Sequence, residues 1–371
     1  MMDYLRYYLC TLIVLAGIAG CALGGQWMWL GIATYPILGI LDLLLGKDHK
    51  PRRISMPNLA DLPLYIHVVL MVVLYATFSW RIGTGVGAEG MAGAAATFGG
   101  FISLAWLSAV PGVPVAHELM HRHGAIPRLF AKIGSAFFAD MNRDIAHLNT
   151  HHIHFDTPRD SDTAYRGENV YTFMWRATKG SYIDAWETEK RRMKVKGKTV
   201  WAPQSLVVWA IILVLAIAGG CAIIGGPLAG LLSLLAMLTS KFMLEALNYL
   251  QHYGLLRVEG VAMEKRHTWN HLSTVSRAIG YEITTHIDHH KNGDLRFDQL
   301  VPYPDAPQMP SIFICGAMAF IPPLWNPYIQ RRLREWDQTF ANQAELDLAR
   351  KANLKAGWPD WFGTTHEGAP A

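Results

Sequence analysis

The chain has 371 residues, is 51% hydrophobic and only 17% charged, and carries a formal net charge of +4. So little charge on so much apolar material excludes an ordinary soluble domain and points to a polytopic membrane protein with no nucleic-acid partner.

Six apolar runs of about 20 residues, the length that crosses the hydrocarbon core, follow one another. They are Tyr4–Leu23, Trp27–Leu45, Leu64–Trp80, Met91–Val115, Gln204–Ile224 and Pro227–Leu250. Only "GGQ" separates the first two and "GG" the last two, so both pairs are tight antiparallel hairpins. "IAGC" (Ile18–Cys21) resembles a lipoprotein cleavage box. Asp3 weakens the basic region such a signal needs, however, and the hairpin with the second run belongs to a bundle. The four cysteines, Cys10, Cys21, Cys221 and Cys315, lie in apolar stretches, spaced neither for zinc nor for a disulfide framework, which leaves packing. A further apolar stretch, Ser311–Trp325, is short, holds a proline pair and runs into "RRLR". A seventh crossing would carry those arginines outside, so it reads as re-entrant or interfacial.

Basic residues set the orientation. "GKDHKPRR" follows span two, "EKRRMKVKGK" (Glu189–Lys198) lies in the long segment after span four, and the tail after span six is basic. The intervening loops carry almost no Lys or Arg apart from Arg81. The expected architecture is all-α and integral to the membrane, with about six transmembrane helices and a cytoplasmic, histidine-rich, metal-binding cap. It forms one domain over residues 1–371, with hairpins at 4–45, 64–115 and 204–250 and cytoplasmic catalytic segments at 116–203 and 251–371. The basic run suits positive-inside topology and contact with anionic lipid, or docking of an acidic partner.

Sixteen histidines are present. His49, His67 and His366 are scattered and read as structural or solvated. The others gather in "HELMHRH" (117–123), "HLNTHHIH" (147–154), "NYLQHYG" around His252, and "HTWNH" and "HIDHH" (267–290). On a helix, His117 and His121 share a face at i, i+4, as do His147 and His151, with His152 turned about 100° further round. His286, His289 and His290 stand at i, i+3, i+4. His123, His154, His267 and His271 read as satisfied polar residues. The eight clustered histidines and His252 exceed what one ion accepts, whereas two ions with four or five imidazoles each accommodate them. "HELMH" is on its face the H-E-x-x-H of zinc proteases. A zinc protease uses three protein ligands, though, which leaves the other histidines idle, and spans five and six offer no ligand aspartate. Glu118 then reads as a support for a ligand imidazole. Asp156, Asp160 and Asp162 read as further such supports or as loop caps. Imidazole alone does not choose among Zn, Cu, Fe and Ni. A metal transporter would place its ligands near the bilayer midplane, and these lie beyond the ends of spans four and six.

H-x-x-x-H, H-x-x-x-H-H and H-x-x-H-H in these positions resemble the membrane-bound fatty acid desaturase/hydroxylase superfamily. "NYLQHYGLLR" and "HTWN" resemble its alkane monooxygenase branch. "NRDIAHLNTHH…DTPRDSDTAYRG…YTF", "APQMPS" and "IPPLW" are more similar to the xylene monooxygenase hydroxylase branch, and the resemblance runs over essentially the whole chain. It implies a non-haem di-iron centre on His117, His121, His147, His151, His152, His252, His286, His289 and His290. It also implies hydroxylation of a hydrophobic substrate by O₂ and two electrons in a bacterial inner membrane, with the site on the cytoplasmic side. The chain has no flavin, nicotinamide or iron–sulfur fingerprint. The resemblance supplies the donor, an NADH-dependent iron–sulfur flavoprotein reductase or a ferredoxin- or rubredoxin-type protein. The alkane branch carries Glu where this chain has Ala146 and Gln251, which favours methyl groups of alkyl-aromatics (toluene, xylene, cymene) over medium-chain alkanes or acyl desaturation.

Overall fold

The computed structural model describes residues 3–85 and 90–362. His366 and the loop around Gly87 lie outside them. Helices α1 (Tyr8–Leu23) and α2 (Leu30–Leu45) form the first hairpin. Its turn is Gly24, at φ 73°, where a side chain would be strained. Next come α3 (Pro57–Thr84), which opens on a proline, α4 (Gly90–Ala109) and α5 (Gly112–Met120). The fourth run is thus interrupted at Val110–Pro111, because proline has no N–H to give the helix ladder. The last two runs are continuous from Leu206 to His252 except at Gly226, whose φ of 82° and ψ of 173° break the helix just before Pro227. The chain folds back there: a Cβ placed on Gly230 would lie 2.7 Å from that of Ala222. The two arms, 206–225 and 227–252, are about 30 and 39 Å long at 1.5 Å per residue. Among the described residues, five apolar helices are long enough to cross a membrane, and the last of them is this hairpin.

The bundle is apolar outside as well as inside. Ile37, Ile40, Val69, Val72, Ile211, Leu215, Leu228 and Leu231 are exposed on it, as a lipid-facing surface requires. Inside, small residues let helices touch: Gly31 packs on Ser103, and Gly225 meets the Ser79 backbone.

Among its described residues, the stretch after Ser311 holds no helix that is both long and apolar enough to cross a membrane. Ile312–Ala319 is a helix of 8 residues, about 12 Å long, and a second helix, Pro322–Thr339, leads away. The Tyr35 hydroxyl of α2 donates to the Phe313 carbonyl at 2.6 Å and fixes the short helix beside the bundle.

Polar anchors tie the cap to the bundle. Asp42, near the end of α2, accepts from the backbone N–H groups of Val275 and Ser276 (2.7 and 2.9 Å) and from the Ser276 hydroxyl (2.6 Å). Tyr281 and Glu282 take left-handed backbone angles, φ 45° and 61°, a conformation that costs roughly 1–2 kcal/mol per residue. Glu282 is held there by the Tyr7 hydroxyl (2.9 Å), Arg52 (2.7 Å) and Arg277 (2.5 Å). That clamp sets the start of the next helix, His286–Lys291. The cap has its own core around Trp269, Trp325, Trp336, Tyr249 and Tyr253. A short parallel strand pair, Asn270–His271 with Gln308–Met309, crosses it, and Arg166 fastens the tail through Asp337 at 2.6 and 2.8 Å.

Candidate metal centre

Four segments deliver nine imidazoles to one place. The end of α5 carries His117 and His121, the His147–His151 turn and the residue after it carry three more, the end of the last arm carries His252, and His286–Lys291 carries three. The ligand atoms form two groups, each with all its members within 4.8 Å of one another. One holds His117, His121, His147, His152 and His289; the other holds His151, His252, His286 and His290.

This division differs from helical spacing in two ways. His147–His151 is a turn of π-helix, in which the His152 N–H bonds back to the His147 carbonyl, five residues away. The wider turn swings His152 onto the face of His147, with Nε2 atoms 3.0 Å apart, and sends His151 to the other group. On the His286–Lys291 helix, His286 and His290 stay together at 3.1 Å. His289 instead faces His152 at 3.3 Å.

Hydrogen bonding shows that three imidazoles of the four-histidine group point lone pairs at a common centre. His151 Nδ1 lies 2.9 Å from Asp160, His252 Nδ1 lies 3.1 Å from Asp156, and His286 Nδ1 lies 3.1 Å from the Ile283 carbonyl. Each partner is an acceptor, so the proton sits on Nδ1 and the Nε2 lone pair faces inward. His252 Nε2 and His286 Nε2 nonetheless stand 2.9 Å apart. Two facing lone pairs repel unless a cation lies between them. Nitrogens bound at about 2.1 Å stand roughly 3.0 Å apart at right angles and about 3.4 Å apart at tetrahedral angles. The observed 2.9 to 3.3 Å matches that range. His121 Nε2, in the other group, is buried without a partner. The residues present therefore suit metal ions. Burial, reinforced by neighbouring imidazoles, drives His147, His152, His286, His289 and His290 well below the usual histidine range, and burial takes His121 to about 4. At neutral pH these rings are uncharged and ready to ligate.

The four carboxylates expected to support ligands divide. Asp156 and Asp160 touch imidazoles. Asp162 instead donates its backbone N–H to Asp160 at 3.1 Å, while its carboxylate takes Arg143 at 2.8 Å. Glu118 turns away from the rings to Arg122 (2.7 Å) and the Phe297 N–H (3.4 Å), so it braces the helix end rather than a ligand. His267 is satisfied by Glu345 at 2.7 Å, and His67 is buried in α3.

A cavity of about 310 Å³ rises from the imidazoles into the bundle. His117, His147, His151 and His286 form its metal end, and Trp106, Phe138, Leu244 and Ile279 form apolar walls. Ile32, Tyr35, Phe313 and Phe320 line it toward the gap between α2 and the short Ile312–Ala319 helix.

The model of the fatty acid desaturase family matches residues 92–310, a stretch that contains all nine histidines. The chain belongs to that family. It is 45% identical over 97% of its length to the xylene/toluene monooxygenase hydroxylase component XylM of Pseudomonas putida, covering 97% of that protein. Alkane 1-monooxygenase 1 of Pseudomonas aeruginosa is 30% identical over 86% of this chain and 87% of its own. Alkane 1-monooxygenase 2 of Alcanivorax borkumensis is 24% identical over 95% of both.

Beside the histidines this desaturase-family chain carries a charged network that lies outside the motifs. Lys241, in the last arm, pairs with Asp140 (2.6 Å) and Glu245 (2.5 Å), and Arg143 lies beside both acids and bonds Asp162. All of these side chains are buried. The signal was available: Lys241 and Glu245 stand at i, i+4 inside an apolar run, where charge is retained only with a partner or a task.

Proposed function

We propose that this chain is the membrane hydroxylase of an O₂-dependent monooxygenase, with two irons held by the nine histidines, acting on the methyl group of alkyl-substituted aromatic hydrocarbons. The overall reaction is R–CH₃ + O₂ + 2 e⁻ + 2 H⁺ → R–CH₂OH + H₂O. Full-length similarity to a xylene/toluene monooxygenase hydroxylase carries the substrate class. The alkane 1-monooxygenases are more distant, at 24 to 30% identity. Bound iron supplies the oxidising power, drawn from O₂ and two electrons.

The chain's own residues do the rest. The cavity walls take an apolar ring out of the lipid and exclude water. The cavity presents one end of the substrate to His117, His147, His151 and His286, so position rather than C–H strength alone selects the carbon. Asp156 and Asp160 keep their imidazoles in the ligating tautomer. The electrons come from an NADH-dependent iron–sulfur flavoprotein reductase on the cytoplasmic face of the inner membrane. Cells supplied with this chain and a matching reductase should convert toluene to benzyl alcohol, with label from ¹⁸O₂ in the alcohol and little ring hydroxylation. Efficient oxidation of octane with toluene ignored would overturn the substrate assignment.

A further inference from the structure

The wall of the cavity is of two kinds. Much of it is aliphatic, as at Val110, Leu244 and Ile279. Tyr35, Trp106 and Phe313 instead bring three rings to the wall from three separate elements, α2, α4 and the short Ile312–Ala319 helix. The rings form one mutual cluster. Tyr35 and Trp106 stand edge to face, with centroids 5.0 Å apart at 85°. Phe313 lies 6.1 Å from Tyr35 at 72° and 6.5 Å from Trp106 at 59°. Aromatic quadrupoles favour such separations and angles. The polar atoms of the cluster are committed to protein partners. Trp106 Nε1–H donates to the Thr34 hydroxyl at 2.9 Å, and the Tyr35 hydroxyl donates to the Phe313 carbonyl at 2.6 Å. What these side chains have left to offer an occupant of the cavity is ring carbon and C–H.

Excluding water and receiving a hydrocarbon does not call for rings, because leucine and isoleucine bury apolar area equally well. A ring recognises more than size only in another ring. An arene seated here extends the edge-to-face set, whereas a saturated molecule of the same volume gains only the area it buries. The reading of this chain as a hydroxylase of alkyl-aromatics, on which this inference rests, names a substrate that has such a ring. We propose that Trp106, Tyr35 and Phe313 form an arene-binding subsite beside the gap between α2 and the short helix. The subsite makes the cavity prefer aromatic over saturated hydrocarbons of equal size.

The test is equilibrium binding to the full-length, iron-loaded protein in lipid nanodiscs, anaerobic and without reductant, so that nothing turns over. The probes are toluene and methylcyclohexane, which share a methyl group and nearly a volume and differ in the π-system. The readout is the ratio of their affinities, compared between proteins in the same lipid so that partition into the bilayer cancels. Wild type should prefer toluene. Trp106→Leu should lower the ratio about 2- to 12-fold, the worth of one aromatic pair, and Trp106→Phe, which keeps a ring, should retain most of it. Phe313→Leu removes a ring without removing a side-chain hydrogen bond and should lower the ratio similarly. A ratio that stays at the wild-type value in both leucine variants, whether both probes weaken together or neither changes, would make the rings mere wall and overturn the proposal. Turnover by the wild type checks the underlying reading separately. Oxidation of octane with toluene ignored would overturn the substrate assignment, while the binding ratio would still decide whether the subsite exists.

Discussion

Asp160→Asn changes one atom and should unseat one metal. The Asp160 carboxylate accepts from His151 Nδ1 (2.9 Å) and the Thr163 hydroxyl (2.7 Å) on one oxygen and from the Asp162 N–H (3.1 Å) on the other. An amide cannot meet all three. With its oxygen toward His151, its NH₂ confronts the Asp162 N–H. With its NH₂ toward His151, the imidazole must move its proton to Nε2, the atom that binds. Either way the four-histidine group loses affinity, and outer supports of this kind are worth about 10- to 100-fold, or roughly 1.4 to 2.8 kcal/mol. The assay is iron per chain in anaerobically purified protein after equilibration with a graded series of chelator. Wild type should retain about two irons, and the variant should release one of them at a chelator concentration 10 to 100 times lower. The five-histidine group, which Asp160 does not touch, should hold its iron as before. Retention of both irons along the wild-type curve would refute the reasoning and reduce Asp160 to a loop cap.

Lys241→Met leaves Asp140 and Glu245 short of their buried counter-charge and should cost about 3 to 5 kcal/mol of stability, seen as a lower thermal midpoint in detergent. Adding Glu245→Gln should recover part of it, and an unshifted midpoint in the single variant would remove the network from the fold's support. A reporter fused after Ala371 should read cytoplasmic and one placed near Gly87 periplasmic, positions for which only the sequence speaks. A periplasmic tail would mean that the segment after Ser311 crosses after all.

Much of the architecture is legible in the sequence because lipid imposes it: an apolar run of the right length must be a helix, and basic loops mark one side. The "GG" between the last runs also reads correctly, since only glycine accommodates the φ of Gly226. Spacing was a weaker guide to the site. The i, i+4 rule pairs His147 with His151, but the π-turn supersedes it, and no residue pattern in "HLNTHH" announces an extra residue in a turn. His289 is parted from His286 and His290 by where two other segments arrive, which is a tertiary fact. Glu118 is expected beside an imidazole, yet its carboxylate accepts from Arg122 at 2.7 Å, a partner the sequence shows one turn on. The cavity walls could not be read at all, since Trp106 or Phe138 looks like any packing residue until the helices are placed.

The π-turn has a consequence for the order in which the protein can be completed. It assigns His151 and its immediate neighbour His152 to different groups. Four of the five histidines of one group, His117, His121, His147 and His152, are therefore synthesised before the final hairpin begins at Leu206, and only His289 is still to come. The other group has His151 alone at that moment and waits for His252, His286 and His290. During biosynthesis one nest is nearly furnished while the other scarcely exists, and the second closes only when the end of the last arm and the clamp on Glu282 bring the late segments home.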